Sequence, residues 1–215
     1  MYKLIFIFLL SIYSFLLDAN EQVYESSFQG VVVVLSDNGF GTGAIISSKG
    51  HILTNWHVIN GADEIEIAIH PSYEFDDIIE NFFKARVIKQ DMTRDLALLK
   101  IDQPLPQVKV LRLSKVVADV GEEVHAIGHP DMEIWSYTKG YVSQKRSDYE
   151  WSYKDNSKHQ ASVYQTQTPI GEGNSGGPLL NQHGNIIGIN TFGSPENEFQ
   201  NYAVSVNEII KFLGS

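Results

Sequence analysis

Short runs rich in β-branched residues recur from Val31 to Val206, each closed by a turn, and this repetition limits the fold more than any other feature. Val31–Leu35 ends at Asp37-Asn38-Gly39, and Gly41–Ile46 ends at Lys49-Gly50. His51–Thr54 then runs directly into Asn55-Trp56-His57-Val58. Glu64–Ile69 alternates polar and apolar residues with the period of a half-exposed strand. Arg86–Ile88 and Asp95–Ile101 follow, and Pro104 and Pro106 suit a crossing between two halves. The second half repeats this character in Glu123–Gly128, Trp135–Thr138, Gly140–Ser143, Ser162–Thr166, Pro178–Leu180, Asn185–Thr191 and Asn201–Val206. One helix is predicted, over 207–213, with Asn207 capping its start and Gly214 its end. Many closely spaced short strands with one terminal helix predict an all-β chain of antiparallel barrels. Barrel 1 is expected over about 24–106 and barrel 2 over about 107–206. The acidic stretch 70–83 reads as a loop or short helix, and the polar stretch 144–160 as a long exposed loop.

Lys3 followed by the apolar run Leu4–Leu17 and the small residue Ala19 reads as a secretory signal peptide over 1–19. The run is shorter than the roughly 20 residues a membrane span needs. The expectation is a secreted or periplasmic protein, residues 20–215, with no membrane anchor after cleavage. A net charge of −10 argues against nucleic acid as a partner, because a nucleic-acid backbone needs basic patches. With no cysteine there is neither a disulfide framework nor thiolate chemistry.

Gly171-Glu172-Gly173-Asn174-Ser175-Gly176-Gly177-Pro178-Leu179 places one serine among glycines. A serine hydroxyl attacks a carbonyl only with a base in reach and with donors for the oxyanion that forms. His57, just after a strand, is the candidate base. Asp95, opening an apolar strand, is the candidate buried acid. The oxyanion hole is expected from Gly173, Asn174 and Ser175, chiefly the N–H groups of Gly173 and Ser175. The order His57, Asp95, Ser175 excludes the α/β-hydrolase arrangement, which needs an acid and then a histidine after the serine. No aspartate follows Ser175, and Gly176-Gly177-Pro178 is a poor helix start. Asp37 before His57 permits the subtilisin order, but the parallel α/β pattern of that fold is missing. His125 and His129 read as structural rather than metal ligands, as Trp56 reads as packing. His51, His70, His159 and His183 read as surface or turn residues.

These blocks, with Gln165-Thr166 and Ile187-Gly188-Ile189-Asn190-Thr191, resemble the trypsin-like serine proteases, most closely the bacterial HtrA/Deg type. The resemblance implies two six-stranded antiparallel barrels with the cleft between them, and endopeptidase activity on proteins or peptides without a cofactor or metal. HtrA proteins usually carry PDZ domains after the protease, and a chain ending at Ser215 implies their absence. Their trimers form through aromatics near the mature N-terminus, which makes Tyr24 and Phe28 candidates and leaves homotrimer and monomer both open. Asn174 stands where digestive relatives carry the aspartate of the zymogen switch, so no such switch is expected. By the family's spacing the base of the primary pocket falls at Pro169, with Thr168 and Ile170 beside it and Asn190, Thr191, Phe192 and Ala203 as walls. With no acid there, and no histidine at Asn190, cleavage after small or medium apolar residues is expected. A silent barrel that binds peptides by strand addition and a secreted esterase are the competing readings.

Overall fold

The structure is a computed structural model and describes residues 22–70, 82–105, 108–194 and 197–214. The expected signal segment, 1–19, and all but the ends of the acidic stretch lie outside these residues. The first six strands are β1 (Val31–Ser36), β2 (Gly39–Ser47), β3 (His51–Thr54), β4 (Ile65–Ile69), β5 (Phe82–Asp91) and β6 (Leu96–Ile101). They close into a barrel in the order β1-β2-β3-β6-β5-β4. The next six are β7 (Glu123–Gly128), β8 (Ser136–Ser152), β9 (Lys158–Thr166), β10 (Pro178–Asn181), β11 (Ile186–Ser194) and β12 (Asn197–Ser205). They close in the order β10-β11-β12-β9-β8-β7. A single helical turn, α1 (Trp56–Ile59), follows β3, and α2 (Val206–Gly214) ends the described chain. No described helix is long and apolar enough to cross a membrane.

The period-2 geometry of a strand explains why Val31 to Val34 are all buried. Val32 and Val34 point into barrel 1 with Ile45, Ile52, Ile67 and Leu99. Val31 and Val33 point the other way, into a layer shared with Ile127, Trp135 and Leu180 of the second half. Each of these side chains contributes about 1.5–3 kcal/mol by leaving water. The Trp135 indole N–H donates to the Val31 carbonyl at 2.9 Å, so a directional bond also joins the halves. A second tie runs from the β5–β6 turn to the C-terminal helix. Arg94 donates to Asp91 at 2.5 Å and to buried Glu208 of α2 at 2.9 Å.

Three local expectations need correcting. The stretch 144–160 is not a loop: β8 and β9 run through it as a long two-stranded ribbon, paired as far as Ser152↔Lys158. Exposure of both faces of 144–148 removes the alternation that marks a strand, and the backbone ladder holds it instead. Phe82 and Phe83 are already in β5, paired with Ala68 and Ile67. Helix α2 begins at Val206, so Asn207 is an exposed residue of its first turn rather than its cap. Phe28 is an interior residue, 2% exposed, with its ring 5.3 Å from that of His70.

Candidate active site

Asp95 closes the β5–β6 turn with its N–H bonded to the Met92 carbonyl at 3.2 Å. Its φ of +55° lies in the left-handed region, which aspartate tolerates better than most side chains. Asn55, at the end of β3, fixes this conformation by donating from Nδ2 to the Asp95 carbonyl at 2.8 Å. The carboxylate has no exposed surface, and an unpaired charge there would cost several kcal/mol. It is therefore surrounded by donors. The His57 backbone N–H reaches Oδ1 at 3.0 Å, and His57 Nδ1 reaches Oδ2 at 2.8 Å. Thr191 Oγ1 and the Tyr153 hydroxyl donate to Oδ2 at 2.5 and 2.8 Å. A carboxylate on Nδ1 fixes the proton there and leaves Nε2 as a free acceptor. His57 lies in α1 with its side chain 24% exposed, at the edge of the cleft.

Ser175 Oγ donates to the Thr191 carbonyl at 3.2 Å and makes no hydrogen bond to His57. A turn about its Cα–Cβ bond is needed to bring the hydroxyl to the base. The peptide planes beside it are pinned through their carbonyls. Asp131 N–H bonds the Glu172 carbonyl at 2.9 Å, and Gly177 N–H bonds that of Asn174 at 3.0 Å. In a trans peptide the N–H points opposite to the C=O. The N–H groups of Gly173 and Ser175 are thus held away from the loop's own acceptors, and neither has a partner among the described residues. Only glycine fits at 173: φ is +96°, and a Cβ would collide with the His129 carbonyl. Asn174, grouped with these two in the sequence, differs from them. Its N–H is bonded to the Gly171 carbonyl at 3.1 Å and the residue is buried, so it shapes the loop and supplies no free backbone N–H.

Barrel 1 reaches across to hold this loop. Thr42 of β2 donates from Oγ1 to the Gly173 carbonyl at 2.6 Å and from N–H to the Ser175 carbonyl at 2.8 Å.

The cleft beside His57 and Ser175 holds about 590 Å³. Of the pocket residues expected from sequence, Ile170, Thr191 and Phe192 line it. Thr168, Asn190 and Ala203 do not: all three are fully buried in barrel 2. Thr168 bonds Thr166, and Asn190 exchanges backbone bonds with Gly176 and Gly177. Pro169 is not the base of the pocket either, for it is exposed and its carbonyl accepts from Thr138 Oγ1 at 3.0 Å. The aromatic lining residues that the sequence expectation missed are Tyr149, Trp151, Tyr153 and Tyr202. Phe192 and Tyr202 stack at 4.5 Å, Trp151 lies 4.9 Å from Phe192, and Tyr149 lies 5.1 Å from Tyr202. Tyr149, Trp151 and Tyr153 alternate through a polar stretch, which was the period-2 signal available in the sequence. A larger depression of about 720 Å³ on barrel 2, beside Ser114 and Asn185, includes none of the three candidate catalytic residues.

His70 and His159 are more buried than their sequence setting implies, whereas His183 is exposed. His70 packs edge-on against Trp135 at 4.6 Å, and burial pushes its pKa down. His159 is 2% exposed among Trp56, Trp151 and Tyr153. His125 bonds the Tyr137 hydroxyl at 2.6 Å, and His129 accepts from the Trp135 backbone N–H at 3.0 Å. Burial lowers the His129 pKa to about 4, against an opposing pull from the Val32 backbone. Among the described residues no group of three or more His, Asp or Glu side chains could hold a metal ion.

Residues 41–189 match the model of the trypsin-like peptidase domain. The chain belongs to the trypsin-like peptidase family. The match runs from the glycines of β2 to β11 and so includes His57, Asp95 and Ser175. This trypsin-like chain is 42% identical over 153 residues to a probable periplasmic serine endoprotease, DegP-like, of Pseudomonas savastanoi, covering 70% of this chain and 28% of that protein. It is 40% identical over 157 residues to the periplasmic pH-dependent serine endoprotease DegQ of Escherichia coli, covering 71% and 31%. The chain thus spans about a third or less of the curated relatives it matches. The serine endoprotease from Yersinia pestis superposes with a TM-score of 0.73 at 30% identity, covering 91% of this chain and 65% of that one. The active form of the Rv3671c protease from M. tuberculosis gives 0.78 at 22% identity, covering 91% and 84%, which is a likeness of fold.

Proposed function

We propose that the chain is a serine endopeptidase that works through an acyl-enzyme. The observation that carries this reading is the buried, donor-saturated Asp95 bonded to His57 on the rim of the cleft that holds Ser175. His57 Nε2 takes the proton as Ser175 Oγ forms a bond to the scissile carbonyl carbon. The oxyanion settles between the N–H groups of Gly173 and Ser175, which need no new partners until then. His57 then returns the proton to the leaving nitrogen as the C–N bond breaks, and water repeats the sequence to free the acid. Asp95 holds the imidazole tautomer and stabilises the imidazolium. No cofactor enters these steps.

Specificity for apolar side chains is supported by Ile170, Phe192 and Tyr202 along the cleft. A preference for Arg, Lys or Glu in a peptide-library profile would overturn it. Secretion to the periplasm or beyond rests on the N-terminal apolar run and agrees with the names of the periplasmic relatives. A homotrimer through N-terminal aromatics would have to use Tyr24, since Phe28 is inside a single chain. Light scattering of the purified protein distinguishes trimer from monomer.

The test is labelling of the purified protein with a fluorophosphonate, located by mass spectrometry. An adduct on Ser175, absent from Ser175→Ala, is the expected result. A folded protein with no adduct returns the alternative of a silent peptide-binding barrel.

A further inference from the structure

Tyr153 is the first residue after β8, and a tight turn starts there: Asn156 N–H bonds its carbonyl at 3.0 Å. The residue belongs to the ribbon of barrel 2, yet its hydroxyl lies on the acid of barrel 1. It donates to Asp95 Oδ2 at 2.8 Å and sits 3.0 Å from Thr191 Oγ1. Its ring is centred 4.6 Å from the His57 imidazole and lines the cleft beside Ser175. The ribbon is fastened to the very turn that presents Asp95. Gln160 N–H donates to the Thr93 carbonyl at 2.7 Å, and His159 Nδ1 donates to that of Met92 at 2.6 Å. His159 also stacks on Trp151 at 5.4 Å and meets the Tyr153 ring edge-on at 4.9 Å. The turn and the ribbon tip are therefore joined by backbone, side-chain and ring contacts. Burial and then the Asp95 charge raise the phenol well above its ordinary value, so it stays protonated as a donor.

We infer that Tyr153 is a positioning residue for the Asp95–His57 pair, a role that rests on the peptidase reading above. Two hydroxyls, from Thr191 and Tyr153, share Oδ2 and fix the plane of the carboxylate toward His57 Nδ1. They also draw negative charge from it, which weakens its hold on the imidazolium. The titratable groups facing this cluster are His57 of α1, Asp95 of the β5–β6 turn, His159 of β9, Tyr149 of β8, and Lys154 and Glu172 along the cleft. Removing the hydroxyl takes one of the two side-chain O–H donors from Oδ2 and leaves more of its negative charge facing His57. The imidazolium is then held more tightly, so the acid limb of the rate profile moves to higher pH.

The experiment measures the second-order rate of fluorophosphonate labelling across about pH 5 to 9. It compares the wild type, Tyr153→Phe, Asp95→Ala and the double variant. Tyr153→Phe is expected to react about ten-fold more slowly at neutral pH, with its acid limb raised by about half a unit. In the Asp95→Ala background the same change should alter the rate by less than about two-fold, because the partner is gone. An unchanged rate and limb overturns the inference. So does an equal loss in both backgrounds with an unmoved limb, which would mean lost packing alone. Should Tyr153→Phe fail to fold, 3-fluorotyrosine at position 153 gives a stronger donor of the same shape. It should move the limb to lower pH, and an unmoved limb would overturn the inference. A wild type that never labels at Ser175 defeats the peptidase reading itself, whereas normal labelling without a Tyr153 effect defeats only this one.

Discussion

On the barrel 1 side of the cleft, the group that matters is fully bonded before any substrate arrives. Asp95 accepts from the His57 backbone and ring, from Thr191 and from Tyr153. On the barrel 2 side, the Gly173 and Ser175 N–H groups point at nothing in the described chain, and Ser175 Oγ is parked on the Thr191 carbonyl. The two sides do different jobs. A buried charge must be satisfied in the resting protein or the fold is weakened. Donors meant for an oxyanion accelerate the reaction only if their bonds are made in the transition state. Stability and rate should therefore respond in opposite proportion on the two sides, and this can be tested.

Asp95→Ala strikes the saturated side. We expect labelling of Ser175 to fall by about four orders of magnitude. Taking the acceptor from four donors, the His57 backbone and ring, Thr191 and Tyr153, should also cost about 2–4 kcal/mol of stability, visible as a lowered melting temperature. Loss of rate with no loss of stability would erase the contrast. Gly173→Ala strikes the open side. Its Cβ meets the His129 carbonyl and the Phe40 ring at a φ reserved for glycine, so the peptide plane must turn. Labelling should fall by about two to three orders of magnitude with a smaller stability change than Asp95→Ala. A larger melting shift than that variant gives would break the comparison.

His129 sharpens it by pH, since its carbonyl is the atom that Gly173 lies against. Its folded value of about 4 is depressed from 6.5, so the unfolded chain binds the proton more readily. The associated stability is complete above pH 6.5 and drains as the pH falls toward 4, by roughly 3 kcal/mol over the window. Buried His70 and His125 are lowered too and act with the same sign. Melting curves at neutral and acid pH should separate for the wild type and converge in part for His129→Gln. Thr191→Val is the mildest test. It removes one of the Asp95 donors and should slow labelling by about ten-fold with the cleft intact. No change at all would mean that Tyr153 alone suffices on Oδ2.

Much of this was legible because the information is local. His57 follows its strand by three residues, the serine sits inside its own glycine loop, and Asp95 heads an apolar strand. The β1 valines announce burial without saying that two different cores share them. The ribbon was illegible because 144–148 is exposed on both faces, leaving only backbone pairing to hold it. The pocket was placed only in part for a related reason: Ile170, Thr191 and Phe192 line the cleft, while Thr168, Pro169, Asn190 and Ala203 do not. Counting back from Ser175 gives a sequence position, while the cleft wall is made by the ribbon aromatics with Phe192 and Tyr202. His70 and His159 were misread as surface because an imidazole among aromatic rings looks, in sequence, like any polar residue.

Thr42 carries one last consequence. This single residue of barrel 1 grips the carbonyls on either side of Asn174, in barrel 2, through its hydroxyl and its N–H. A slip between the barrels of a fraction of an ångström would tilt those peptide planes long before either barrel came apart. Gentle heating or pressure should then silence the enzyme while its circular dichroism is still native. Activity in this chain gauges the alignment of two bodies more than the integrity of either.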